Sequence, residues 1–245
     1  MTDRPRVLAL INESSSPPAR VGQWLADAGV DVDVLDVSAG APVPTELPAG
    51  YAGLLSLGGG VSAMEDDAAA WLAPERALLR EAVAEGFPVL GICLGGQLLA
   101  AATGGAVAPG ERPEVGVCQI DLNENAISDR LFSVLPQGPR VPQFHRDGIF
   151  AVPEGAVTLA SSPGYPIQAF RIGDSAWGVQ FHPEVVSEII ASWLVSEVEI
   201  VEALQSDKPA VVAEMAAAED EIERVWRPFA AAFAAVVIEY AAQRR

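Results

Sequence analysis

Four short apolar runs open the chain, at residues 6–11 (RVLALI), 32–37 (VDVLDV), 51–57 (YAGLLSL) and 87–92 (FPVLGI). They are brief, rich in Val, Leu and Ile, and bounded by Gly, Pro or Asp, which predicts strands. Between them, residues 18–28 place Val21, Trp24, Leu25 and Ala28 at helical spacing, and residues 71–84 carry Trp71, Leu72, Leu78, Leu79 and Val83. Strands alternating with helices predict a mostly parallel sheet covered on both faces.

Past about Gly105 the rhythm changes. Runs at 115–122, 148–152, 157–161, 167–172 and 176–181 follow with little helical pattern. They predict further short strands, some antiparallel, added to or beside the first sheet. The Pro/Gly-rich stretch 40–50 reads as a loop. From Glu184 onward the chain is rich in Ala, Glu and Val, with Pro209 and Pro228 as its breakers. That predicts two or three helices, broken near 206–209. Trp193, Leu194, Val198 and Val201 recur at helical spacing, as do Val225, Trp226, Phe229 and Phe233; such stripes are more often core than interface. The expected organisation is one α/β domain over 1–190 with a helical extension, 191–245, packed on it.

Half of the 245 residues are hydrophobic, enough for a sizeable core. Fifteen Lys and Arg stand against 33 Asp and Glu, a net charge of -18 that argues against nucleic-acid or membrane-surface partners. No window of about twenty apolar residues lacks charge, so no bilayer span is expected. The N-terminus shows no export signal, and a reduced cytoplasmic protein is the expectation. Only Cys93, Cys118, His145 and His182 could serve as soft or imidazole ligands, which leaves little for a zinc-type cluster. Neither metal nor cofactor is expected.

Gly91-Ile92-Cys93-Leu94-Gly95 follows an apolar strand and precedes a helix-like run at 96–103. Glycines on both sides of a cysteine, between strand and helix, are what a strained nucleophile elbow requires. The helix N-terminus there favours thiolate, and the amide of Leu94 would point toward a developing oxyanion. Cys118 has no such setting and reads as structural. Phe181-His182-Pro183-Glu184 closes the last strand-like run. Residues two apart on a strand share a face, so Glu184 can steady His182 while the other ring nitrogen serves Cys93.

GICLGGQLLA followed, about ninety residues later, by GVQFHPE resembles the class I glutamine amidotransferases. The likeness covers roughly residues 6–190 and is strongest to stand-alone proteins similar to the glutaminase domain of GMP synthase. It implies a flavodoxin-like, open, doubly wound and mostly parallel α/β sheet, and a catalytic triad of Cys93, His182 and Glu184. It also implies that the loop 57–60 supplies a second oxyanion donor, the amide of Gly59 or Gly60. Taken alone that loop could be a tight turn; a phosphate loop would need a following G-K-[ST]. Gln97 matches a substrate-binding glutamine of the family, though by itself it could be a polar helix residue. Gly96 occupies a position that varies in the family. Phe144-His145-Arg146-Asp147 resembles the family's S-H-x-D segment, which holds the ends of glutamine, with Phe144 for serine and Arg146 where glycine is common. His145 could also be structural.

The activity implied is hydrolysis of the glutamine side-chain amide through a cysteine thioester, giving glutamate and ammonia. No synthetase domain follows the H-P-E segment, so the ammonia acceptor stays unidentified, a separate synthetase chain being one possibility. The alternatives are hydrolysis of γ-glutamyl amides or peptides, and a non-catalytic glutamine-binding regulator. Oligomeric state stays open, a homodimer included.

Overall fold

The structure is a computed structural model and describes residues 4–196, Ile200 and 207–244. Strands β1 (Arg6–Ile11), β2 (Asp31–Asp36), β3 (Gly53–Ser56) and β4 (Val89–Ile92) alternate with helices α1 (Ala19–Asp27) and α2 (Leu72–Ala84). Helix α3 (Leu94–Ala102) follows β4 directly, starting two residues before the expected point. The remaining strands are β5 (Ala106–Gln119), β6 (Asp121–Leu122), β7 (Arg140–Ala151), β8 (Val157–Ser161), β9 (Ala169–Ile172) and β10 (Ala176–Val179). A 3₁₀ turn, Glu124–Ser128, separates β6 from β7. Helices α4 (Ser187–Ser196) and α5 (Lys208–Gln243) end the chain.

Eight strands form one sheet in the order β2-β1-β3-β4-β10-β9-β8-β6. The five from β2 to β10 pair in parallel, and β9, β8 and β6 continue antiparallel. The sheet is buried on both faces at its centre. Along β1, Val7, Ala9 and Ile11 join the core under α1, α4 and α5, while Leu8 and Leu10 join the core under α2 and α3. That two-sided burial explains why these strands read as unbroken apolar runs. At the edge, β2 intersperses Asp31, Asp33 and Asp36 with the partly covered Val32 and Leu35 and the exposed Val34, and the acids discourage further pairing.

Two expectations need correction. The run at 115–122 is split: residues 115–119 close β5, while Asp121–Leu122 is the short β6 at the edge of the main sheet. Residues 148–151 close β7, and β5 and β7 form a long antiparallel ribbon apart from the main sheet. Pro109, Pro113 and Pro142 interrupt its pattern, and its register shifts between Pro109 and Glu114. Second, α5 does not break at Pro228 but runs 36 residues through it. Pro209 sits in its first turn, where proline costs nothing. Of the expected break at 206–209, Ser206 lies outside the described residues, as do Val198 and Val201.

α5 is long and apolar enough, by length and composition, to cross a bilayer. Its Trp226, Phe229, Phe233 and Val237 are instead fully buried within the chain's own core.

Candidate active site

The carboxyl ends of β1, β3, β4 and β10 meet at one cleft, where open α/β sheets bind ligands. Cys93 leaves β4 there and caps α3 with φ 53° and ψ −111°. Apart from Ala19, it is the single non-glycine residue with positive φ among the described residues. Such a backbone costs about 1–3 kcal/mol and persists where the surroundings over-determine it. Those surroundings are close: a Cβ on Gly95 would overlap the Ser56 carbonyl, and one on Gly96 would lie 2.6 Å from the Val179 oxygen. α3 thus packs onto β3 and β10 at a distance only glycine allows. The Cys93 N–H donates to the Val179 oxygen (2.8 Å), and the Gln97 N–H donates to the Cys93 oxygen (2.9 Å).

The structure brings His182 and Glu184 beside that sulfur. His182 Nδ1 and Glu184 Oε1 are 2.7 Å apart, both residues being buried. The other ring nitrogen is left for the thiol. Burial pushes the imidazole's pKa down. The negative charges of Glu184 and Cys93 and their hydrogen bonds override this and raise it to about 10. The ring is held by backbone too: the His182 N–H donates to the Pro142 oxygen (2.9 Å), and the Arg20 N–H donates to the Glu184 oxygen (3.1 Å). Trp193 covers it at 4.8 Å between centroids, and a Cβ on Gly58 would press within 2.9 Å of its Cε1.

The glycine loop after β3 lines the cleft next to Cys93 through Gly59 and Gly60. Beneath it lies a polar cluster that sequence patterns did not reveal. Gly95 N–H and Asn12 Nδ2 both donate to the Leu57 oxygen, at 3.1 and 3.0 Å. Glu75 Oε1 accepts from Ser56 Oγ (2.6 Å) and Asn12 Nδ2 (3.3 Å). Glu75 is wholly buried and its Oε2 has no partner. Burial, only partly opposed by the Ser56 and Asn12 hydrogen bonds, raises its pKa to about 7.

The segment 145–147 forms the far wall of a cleft of about 460 Å³. Arg146 is exposed and Asp147 half-buried, with Asp147 Oδ2 accepting from Ser62 Oγ at 2.7 Å. Gln97 lies at the cleft floor, its Nε2 donating to the Asp147 oxygen (3.0 Å) and to Gln180 Oε1 (3.2 Å). His145 is placed differently from the others. Its ring nitrogens engage the Asp147 carbonyl on one side and Gln143 and Glu114 on the other. Burial pushes its pKa down against the pull of Glu114, and the ring holds the wall in place. Gln180 stands inside the GVQFHPE run, yet its residue type alone assigns it no part in the site. A signal was available in the spacing, since it lies two residues before His182 and such residues share a face where a chain is extended.

Cys118 lies apart on β5, half-buried, and neither cysteine is in a disulfide. Burial, with the charges of Glu114 and Glu214, pushes its thiol up to about 11. No metal-holding cluster of His, Cys, Asp and Glu occurs among the described residues.

The sequence matches the family model described as "Glutamine amidotransferase class-I" over residues 11–196. It is 41% identical over 99 residues to one subunit of the glutamine-hydrolysing GMP synthase of Pyrococcus abyssi, covering 40% of this chain and 51% of that protein. To the GMP synthase of Bacteroides fragilis it is 40% identical over 100 residues, 40% of this chain and 19% of that protein. The match thus spans about half or less of these relatives' length. A glutamine amidotransferase structure from Thermotoga maritima superimposes with a TM-score of 0.83 at 25% identity, covering 95% of this chain and 99% of that one. One from Methylobacillus flagellatus gives 0.78 at 27% identity, covering 97% and 95%.

Proposed function

Because the chain belongs to the class I glutamine amidotransferase family, we propose that it hydrolyses the side-chain amide of glutamine with Cys93 as nucleophile, His182 as acid and base, and Glu184 as orienter. The observation that carries this reading is the convergence of the strained Cys93 with the 2.7 Å His182–Glu184 pair at one cleft. The thiolate attacks the γ-carbonyl carbon, forming a C–S bond as the carbonyl π electrons move to oxygen. The N–H groups of Leu94 and of Gly59 or Gly60 receive that oxyanion, a role in which one donor is worth about 10²–10³ in rate. The imidazolium of His182 gives its proton to the leaving nitrogen, and ammonia departs. Neutral His182 then takes a proton from water, whose oxygen attacks the thioester carbon; the C–S bond breaks, releasing glutamate and restoring the thiolate beside the imidazolium. Each proton transfer contributes roughly 10²–10⁴. Arg146 and Asp147 face the 460 Å³ cleft with charges that suit the α-carboxylate and α-ammonium of glutamine.

Beside His182 a second, smaller pocket is lined by Cys93, Phe144 and Trp193. The relatives named as single subunits of a glutamine-hydrolysing GMP synthase support a separate synthetase chain as the acceptor of the ammonia.

Incubation with glutamine, following ammonia, tests this directly. Wild type is expected to release ammonia and Cys93→Ala to release none above background. Equal release by both, or faster turnover of γ-glutamyl anilides than of glutamine, would overturn the assignment.

A further inference from the structure

Gln180 leaves the end of β10 fully buried, with its side-chain Nε2 3.7 Å from Cys93 Sγ. Which end of its amide faces the sulfur follows from a chain of partners. The Asp147 backbone carbonyl can only accept, so the Gln97 group 3.0 Å from it must be the NH₂. That NH₂ also lies 3.2 Å from the Gln180 amide, which must answer with its oxygen. The nitrogen of Gln180 is thereby turned to the sulfur. Reversing it would set two NH₂ groups against each other and leave the Gln180 carbonyl facing the nucleophile.

We propose that Gln180 donates a side-chain N–H to the Cys93 thiolate, a second stabiliser of the nucleophile beside His182, aimed by Gln97 and the Asp147 carbonyl. The proposal rests on the reading of Cys93 as nucleophile. A neutral thiol is a weak acceptor and a thiolate a strong one, so this bond favours the charged sulfur. On attack the sulfur electron pair becomes the C–S bond, the charge moves to the carbonyl oxygen, and Gln180 loses its strong acceptor. Hydrolysis of the thioester restores it. Because the same Gln97 amide borders the substrate cleft, the aim of Gln180 is set from the wall that receives glutamine.

The test is the pH dependence of Cys93 alkylation by iodoacetamide, which requires thiolate but neither oxyanion hole nor glutamine. Gln180→Met keeps the length and removes the donor. Its acid limb is expected to move to higher pH, giving about tenfold slower labelling near pH 6. At high pH the rate should equal or slightly exceed wild type, since a less stabilised thiolate is the better nucleophile. Superimposable profiles would overturn the proposal. Should Gln180→Met fail to fold, the side-chain amide resonances of Gln180 in wild type decide it. They are expected to shift as the thiolate titrates and again after alkylation; resonances indifferent to both would refute the bond. Neither readout uses glutamine turnover. A chain that labels as expected yet releases no ammonia would sink the glutaminase reading and leave this one standing.

Discussion

Glu75 is a carboxylic acid with no exposure, held by two donors on one oxygen and none on the other. Its consequence is thermodynamic. Burial raises its pKa from an ordinary 4.5 to about 7. Between those values the folded chain keeps a proton that the unfolded chain releases, so stability falls as pH rises through the window. The difference corresponds to roughly 3 kcal/mol once pH exceeds 7. Glu75→Gln, which mimics the protonated acid, is expected to match wild type near pH 4.5 and exceed it by up to that amount at pH 8. Urea unfolding across this range checks it, and parallel curves for the two proteins would show that Glu75 ionises freely. The meeting of Cys93, His182 and Glu184 at one cleft was legible because two motifs fix their places by spacing and residue type. The parts played by Glu75, Asn12 and Gln180 were not, because each is a single polar residue near an apolar run or helix. What each does depends on which neighbours the fold delivers.

At the scale of elements, α5 carries much of the core on the α1 side of the sheet. Trp226 packs on Phe181 (4.8 Å between centroids) and donates from Nε1 to the Arg140 oxygen at 2.8 Å. Phe229 meets Phe132 edge-on, and Phe233 meets Trp177. Pro228 removes one helical hydrogen bond, a cost of about 3 kcal/mol in an isolated helix. Burial of three aromatic residues flanking it exceeds that, at about 1.5–3 kcal/mol for each large apolar side chain. A single-residue breaker rule therefore missed a helix that tertiary packing holds straight through. The β5–β7 ribbon was obscured by the same kind of signal, prolines inside strands that do not belong to the central sheet. Trp226→Ala should cost about 3–5 kcal/mol, through the cavity and the orphaned Arg140 carbonyl. Denaturant midpoints measure this, and a loss below about 1 kcal/mol would mean that α5 contributes little to the core.

At the scale of the whole molecule, the parallel half of the fold was written in two-sided apolar runs, and the cleft follows from it. Strands ending side by side deliver Asn12, Ser56, Cys93 and Gln180 to one rim. The surface poses a separate question, because -18 net charge and numerous exposed ion pairs respond to salt in opposite directions. Pairs such as Arg227–Asp27 and Arg130–Glu239 are roughly half exposed, and each is worth about 0–1 kcal/mol before screening. Screening them destabilises slightly. The excess acids repel across the whole compact chain, and the unfolded chain relieves that repulsion by expanding. Raising sodium chloride from about 10 mM to 300 mM cuts the screening length from roughly 30 Å to below 10 Å. That removes most of the long-range repulsion while contact pairs keep part of their attraction. The melting temperature is accordingly expected to rise by roughly 2–4 °C, the equivalent of about 1 kcal/mol for a chain of this size. Glutamine, the proposed substrate, is a zwitterion without net charge, so kcat/KM for it should change far less than for an anionic substrate. A melting temperature that falls with chloride would assign the dominant surface energy to the ion pairs.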